Sequence, residues 1–268
     1  MSSVNFYKLT TIATIFKITL VFYILAFCLK LYKGAVISSV LVVENGFSEQ
    51  FSFWIEKSIA ILLLFCLIGV FFKSTYKLSL WLISTFLVLY SLLSYANGGK
   101  AFLELSLISA ISKWWLPILT LISIHHFYNR KAKFNRWFLL SIQFSVFLIF
   151  LSHGIGCFLK NGVYIDYILG FFRDFSAIPM KQKDAEQFLN IIGVIDVAVA
   201  VLVMIKSSNY LLYWLIFWGF LTAMLRVLDA SILNYVEFLI RVPHFTLPLV
   251  LLLIRNYKNE TSAVSSKT

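Results

Sequence analysis

The sequence predicts an all-α polytopic membrane helix bundle, about eight transmembrane helices arranged as two parallel four-helix repeats. Three observations carry this: too much apolar surface for water, basic residues confined to one set of loops, and a series of landmarks that occurs twice. The 268 residues are 60% hydrophobic and 13% charged, with mean hydropathy +0.88. A water-soluble domain of this length cannot bury that much apolar surface, so lipid must be the solvent.

Windows close to the roughly 20 apolar residues that cross a bilayer lie at about 11–32, 54–72, 78–96, 104–127, 137–159, 187–206, 210–227 and 236–254. In the first, Lys8, the apolar core and "LAFC" at Leu25–Cys28 imitate a lipoprotein signal. Phe27 occupies the position that cleavage requires to be small, so the segment is read as a membrane helix. The segment after each first helix is too short and too interrupted to span. It suits an amphipathic helix in the outer interface, with Tyr164, Tyr167, Phe171, Phe172 and Phe175 at headgroup level. Glu104 and Lys113 interrupt the fourth window, and Glu237, Arg241 and His244 interrupt the eighth.

The net charge of +11 invites a nucleic-acid reading. Its distribution points elsewhere. With the N-terminus inside, the inner segments are almost purely basic, most clearly in "YNRKAKFNRW", whereas nearly all the carboxylates fall on the outer side. This is the positive-inside pattern of an integral plasma-membrane protein, such as one of a bacterial inner membrane, with both termini cytoplasmic. Membrane lipid, not nucleic acid, is then the implied partner.

The repeat divides the chain. "GAVISSVLVVENGF" (Gly34–Phe47) lies over "GVYIDYILGFFRDF" (Gly162–Phe175), Trp81 answers Trp214, and Pro117 answers Pro248, at offsets from 128 to 133 residues. The resulting units are an apolar scaffold at 1–128, a basic cytoplasmic linker at 129–136, a polar second unit at 137–256 and a disordered cytoplasmic tail at 257–268. The repeat is parallel because an even number of spans separates the two starts.

In the second unit "LSHGIGCFLKNG" and "FLNIIGVIDVAVAVLVMI" resemble the DoxX-like membrane proteins, compact four-helix units. The resemblance implies a small integral membrane protein, sometimes associated with quinone-linked redox systems. It implies a redox partner subunit or a homodimer, and no transferable catalytic residue. The tandem duplication departs from the family's single-unit pattern.

Ionisable groups inside membrane helices are functional candidates by default. Asp196 stands near mid-membrane, with His153 and Asn190 further out. Arg226 and Asp229 close the seventh helix. Glu237, Arg241 and His244 at i, i+4 and i+7 share one helical face. Most equivalent positions in the first unit are uncharged: Leu63 for Asp196, Leu93 for Arg226, Ala110 for Arg241.

Two readings remain open. Arg226, Asp229, Glu237 and Arg241 form either an outward-facing ligand pocket, with Asn190 and His244 beside it, or an interfacial ion-pair network snorkelling to water. Asp196 and His153 are the catalytic candidates; Asp196 is otherwise a protonated core acid, since its helical neighbours offer no cation. Two histidines could ligate a haem only if their helices adjoin, and a quinone is the other cofactor candidate; no metal site is predicted. Cys28 and Cys157 either pair as a disulfide or stay buried as thiols.

The chain has no C-x-x-C, P-loop, Rossmann fingerprint, HExxH or G-x-S-x-G, which favours a non-enzymatic partner subunit or a binding module for a lipid-soluble amphipathic ligand. The alternative is a membrane enzyme or carrier acting on a quinone or anionic lipid. Proton-coupled transport ranks behind both, for want of an inner polar path. The topology has a direct check. In a cysteine-free background, Ala132→Cys should react with an impermeant thiol reagent only from the cytoplasm and Gln182→Cys only from outside; the reverse pattern would sink it.

Overall fold

A computed structural model describes residues 3–34, 36–97, 103–129, 135–176, 180–227 and 232–265. All regular secondary structure among them is helical, as lipid demands of a backbone that must satisfy its own polar groups. In chain order the helices are α1 (Ser3–Tyr32), α2 (Val36–Val43), α3 (Glu49–Gly69), α4 (Tyr76–Ala96), α5 (Leu103–Tyr128), α6 (Arg136–Phe158), α7 (Gly162–Phe175), α8 (Gln182–Ile205), α9 (Asn209–Met224), α10 (Ile232–Ile240) and α11 (Val242–Ser265). Short polar side chains open several of them. Ser48, Asn135, Asn161 and Ser208 each accept a backbone N–H of the first turn they precede.

Among the described residues, seven segments are long and apolar enough to cross a membrane. The predicted seventh span at 210–227 is the exception. Its helix, α9, has 16 residues, about 24 Å against a hydrocarbon core of about 30 Å. Many large apolar side chains face outward, among them Ile61, Leu62 and Phe65 on α3 and Ile191, Val194 and Ile205 on α8. Such a surface suits lipid and not water.

Two expected features differ. The eighth helix is two helices, α10 and α11, meeting at Arg241. Pro243 has no N–H to donate to the Leu239 carbonyl, and three-residue hydrogen bonds take over, Arg241 N to Phe238 O at 2.9 Å and His244 N to Arg241 O at 2.8 Å. At the other end, α11 continues to Ser265, through most of the segment expected to be a disordered tail.

In packing, α1 lies on α3 and α5, α4 on α5, α6 on α8 and α11, and α9 on α11. The sides are joined where α5 meets α6 and where α1 meets α10 and α11. Glycine sets the closest approaches. A Cβ on Gly154 would lie 3.0 Å from the Gly193 carbonyl oxygen, and one on Gly193 would lie 3.1 Å from that of Gly154. Here α6 and α8 touch backbone to backbone, the small-residue crossing that membrane helices favour. Likewise a Cβ on Gly219 would stand 2.7 Å from the carbonyl oxygen of His244, so α9 fixes the start of α11.

These contacts make a stability prediction. Gly193→Ala should destabilise the protein by roughly 1–3 kcal/mol, because neither backbone can yield cheaply. Gly170→Ala, whose new methyl would meet only Arg173 Nη2 at 3.9 Å, should be neutral or mildly stabilising. Thermal unfolding in detergent reads the difference; equal effects would mean the α6–α8 crossing is looser than described.

Candidate functional site

Two adjoining cavities occupy the end of the bundle where α1, α6 and α9 finish. The larger, about 570 Å³, is polar and is walled by α1, α5, α6, α7, α10 and the start of α11. Among the described residues its wall carries Lys30, Lys113, Arg226 and Arg241 and one carboxylate, Glu237, a formal charge of +3 with His153 and His244 counted neutral. The smaller, about 290 Å³, is an apolar slot between α6, α7, α8 and α9, lined by Ile168, Phe171, Phe172, Phe188, Leu189 and Trp218 among others. His153, Tyr164, Tyr167 and Arg226 belong to both walls.

Arg226 sits at this junction, 6% exposed, just beyond the C-terminus of α9. Its guanidinium lies over the rings of Tyr167, 4.6 Å from the centroid, and Tyr164, at 5.9 Å. The first of those rings also places its hydroxyl 3.4 Å from Nη1. Glu237 reaches only 3.9 Å from Arg226 and is held instead by Lys30 of α1. Among the ion pairs of the described residues Glu237 meets Lys30 and Arg226, not Arg241 on its own predicted face. Arg241 Nη1 and His244 Nδ1 are buried, with no hydrogen-bond partner among the described residues. The buried guanidinium nitrogen, which can only donate, calls for an acceptor.

Below the junction, His153 Nδ1 stands 2.5 Å from Asp196 Oδ2, and Trp218 Nε1 donates to Oδ1 at 2.8 Å. Asp196 is fully buried. Its own helix offers no such partner: the imidazole comes from α6 across the glycine crossing. Together with Cys157 the pair brings three ligating atoms within 4.8 Å of one another. His153 also packs on Tyr164, with ring centroids 4.8 Å apart, and Gly156 leaves room for that ring.

The structure thus brings His153, Arg226, Glu237, Arg241 and His244 to one cavity and places Asp196 behind it. Asn190 is not part of it. It is exposed on α8 and lines neither cavity. Asp229 lies outside the described residues. Cys28 and Cys157 are buried free thiols, Cys28 donating towards the Ala60 carbonyl at 3.5 Å, so the disulfide alternative falls.

The sequence reading missed Lys30, Ser109 and Ser112, which the supposed apolar scaffold contributes, and gave Lys113 and Trp218 no role in the site. It also placed Glu56 at an outer helix end. Glu56 is fully buried and accepts the Ile37 N–H at 3.1 Å, pinning α2 to α3. No protein-family model, curated protein or solved structure matches this chain.

The buried carboxylate supplies a test of the site's internal wiring. Asp196→Leu should strand the His153 and Trp218 donors and destabilise by about 1–3 kcal/mol for each. Asp196→Asn, which keeps one carbonyl acceptor, should lose less than half as much. Equal losses measured by thermal unfolding would show that the two hydrogen bonds contribute little.

Proposed function

We propose that this is an integral membrane binding protein for an anionic amphipathic molecule, its headgroup in the polar cavity and its chain in the aromatic slot. One observation carries the reading: the basic cavity and the apolar slot are adjacent and share four wall residues, so a single ligand with a charged end and an apolar end fits both. The combined space falls in the range of ordinary ligand sites. An anion is favoured over a quinone because Glu237 is held by Lys30, and a neutral head would leave the Arg226 and Arg241 guanidinium groups with little counter-charge in a low-dielectric setting. The unpartnered guanidinium donor of Arg241 points to the same class of ligand.

The reading includes the finer architecture. The opening order long, short, long occurs in α1–α3 and again in α6–α8, and equivalent pairs pack alike, α1 on α3 as α6 on α8, and α4 on α5 as α9 on α11. This supports two parallel units of the DoxX-like kind, and the ligand lies between them. With basic loops inside, the cavity opens in the outer half of the membrane.

Dodecyl phosphate provides the test. It should raise the thermal midpoint of the purified protein by several degrees, about what 100-fold excess over Kd supplies. Arg241→Ala should remove most of that shift and Arg241→Lys only part of it, since the planar fork is lost but the charge is kept. A purely structural ion-pair network gives another result: both substitutions lower the midpoint, and dodecyl phosphate shifts none of the proteins.

A further inference from the structure

Resting on that binding reading, we infer that the site is also catalytic, with His153 the general base for hydrolysis of an amphipathic phosphomonoester and Asp196 the residue that positions it. The first support is the hydrogen-bond pattern. The Trp218 indole can only donate, so Oδ1 of Asp196 must accept, and the one proton between Oδ2 and Nδ1 ties the imidazole to the carboxylate. With that proton on Nδ1, Nε2 is the basic nitrogen, the tautomer a general base requires. A residue needed only for packing does not require an ionisable partner anchored on both oxygens.

The second support is position. His153 is one of the four residues common to the basic cavity and the apolar slot. In a ligand lying across both, the bond joining head to chain falls at that junction, beside the imidazole. The third is charge. Arg226, Arg241 and Lys113 surround the head, and such cations stabilise the oxygens of a phosphoryl group in transfer. A carboxylic ester fits less well. Ser152, which lines the cavity, gives its hydroxyl to the Ile149 carbonyl at 3.1 Å and is not presented to His153 as a nucleophile.

The step balances without an oxidant or a further cofactor. Water attacks phosphorus and gives its proton to His153 Nε2 while the bond from phosphorus to the alkyl oxygen breaks. The leaving alkoxide takes a proton from a second water, and His153 then returns its proton to the hydroxide so formed. The products are the long-chain alcohol, which stays in the slot or the lipid, and inorganic phosphate, which leaves through the polar cavity.

The experiment uses the full chain in detergent micelles with dodecyl phosphate and dodecyl diphosphate, reading inorganic phosphate release and the thermal midpoint in parallel. The expected result is phosphate release by the wild type and a loss of about 100-fold or more in His153→Gln and Asp196→Asn, each keeping the ligand-induced thermal shift. If His153→Gln does not fold, Asp196→Asn and Trp218→Phe carry the test, with Trp218→Phe expected to slow release while the thermal shift persists. A wild-type thermal shift with no phosphate from either probe overturns the catalytic inference and leaves the binding reading standing. Release undiminished in the His153 or Asp196 variants overturns the assigned roles. No thermal shift at all removes the binding reading, and this inference with it.

Discussion

The close crossing of α6 and α8 is the constraint on which the site depends. Gly154 and Gly193 let two backbones meet where any side chain would hold them apart. One turn away, that proximity brings the Asp196 carboxylate within hydrogen-bond reach of His153, and without it a buried acid would face lipid or an apolar core alone. An unpaired carboxylate there would cost several kcal/mol or would give up its charge by taking a proton. The partner therefore determines what Asp196 can do. Trp218 from α9 completes the arrangement, so three helices must be in register for the dyad to exist.

A second link, from α1 to α10, joins the two sides of the bundle. Lys30 and Lys160 stand 130 residues apart, as do Glu56 and Glu186. Lys160 pairs with Glu186 at 3.0 Å, within its own half. Lys30 does otherwise. It crosses to Glu237, while Glu56 turns inward to accept the Ile37 N–H. Similar residues at corresponding places thus serve different ends, one closing a local loop and the other tying α1 to the rim of the cavity.

Much of the fold was legible because it is written within single segments. Hydropathy marks helices, short polar residues such as Asn135 and Ser208 mark their starts, and both need only neighbours in sequence. The convergence of Arg226, Glu237, Arg241 and His244 on one cavity was legible for the same reason. What was not legible came from other helices. Lys30 contributes through a contact between sequence-distant elements, and Asp196 was judged by neighbours on its own helix, where no cation stands. Asn190 failed for a related reason: depth along a helix says which layer a residue occupies but not which way it faces. The break at Arg241 did have a signal, Pro243, whose effect is to start a new helix and not simply to bend the old one.

Arg226 shows why the cavity can hold its charge in place before any ligand arrives. A buried guanidinium at the end of a short helix would ordinarily snorkel towards water, carrying its donors away from the junction. Two aromatic faces prevent that. Tyr167 and Tyr164 lie under the guanidinium, and their hydroxyl-bearing rings come from α7, the helix that also walls the slot. A desolvated cation–π contact is worth about 2 kcal/mol, comparable to the gain from a partly hydrated head in an interface. The same ring of Tyr164 packs against His153 on its way. Arg226, Tyr164, His153 and Asp196 thus form one continuous stack of contacts from the cavity to the core.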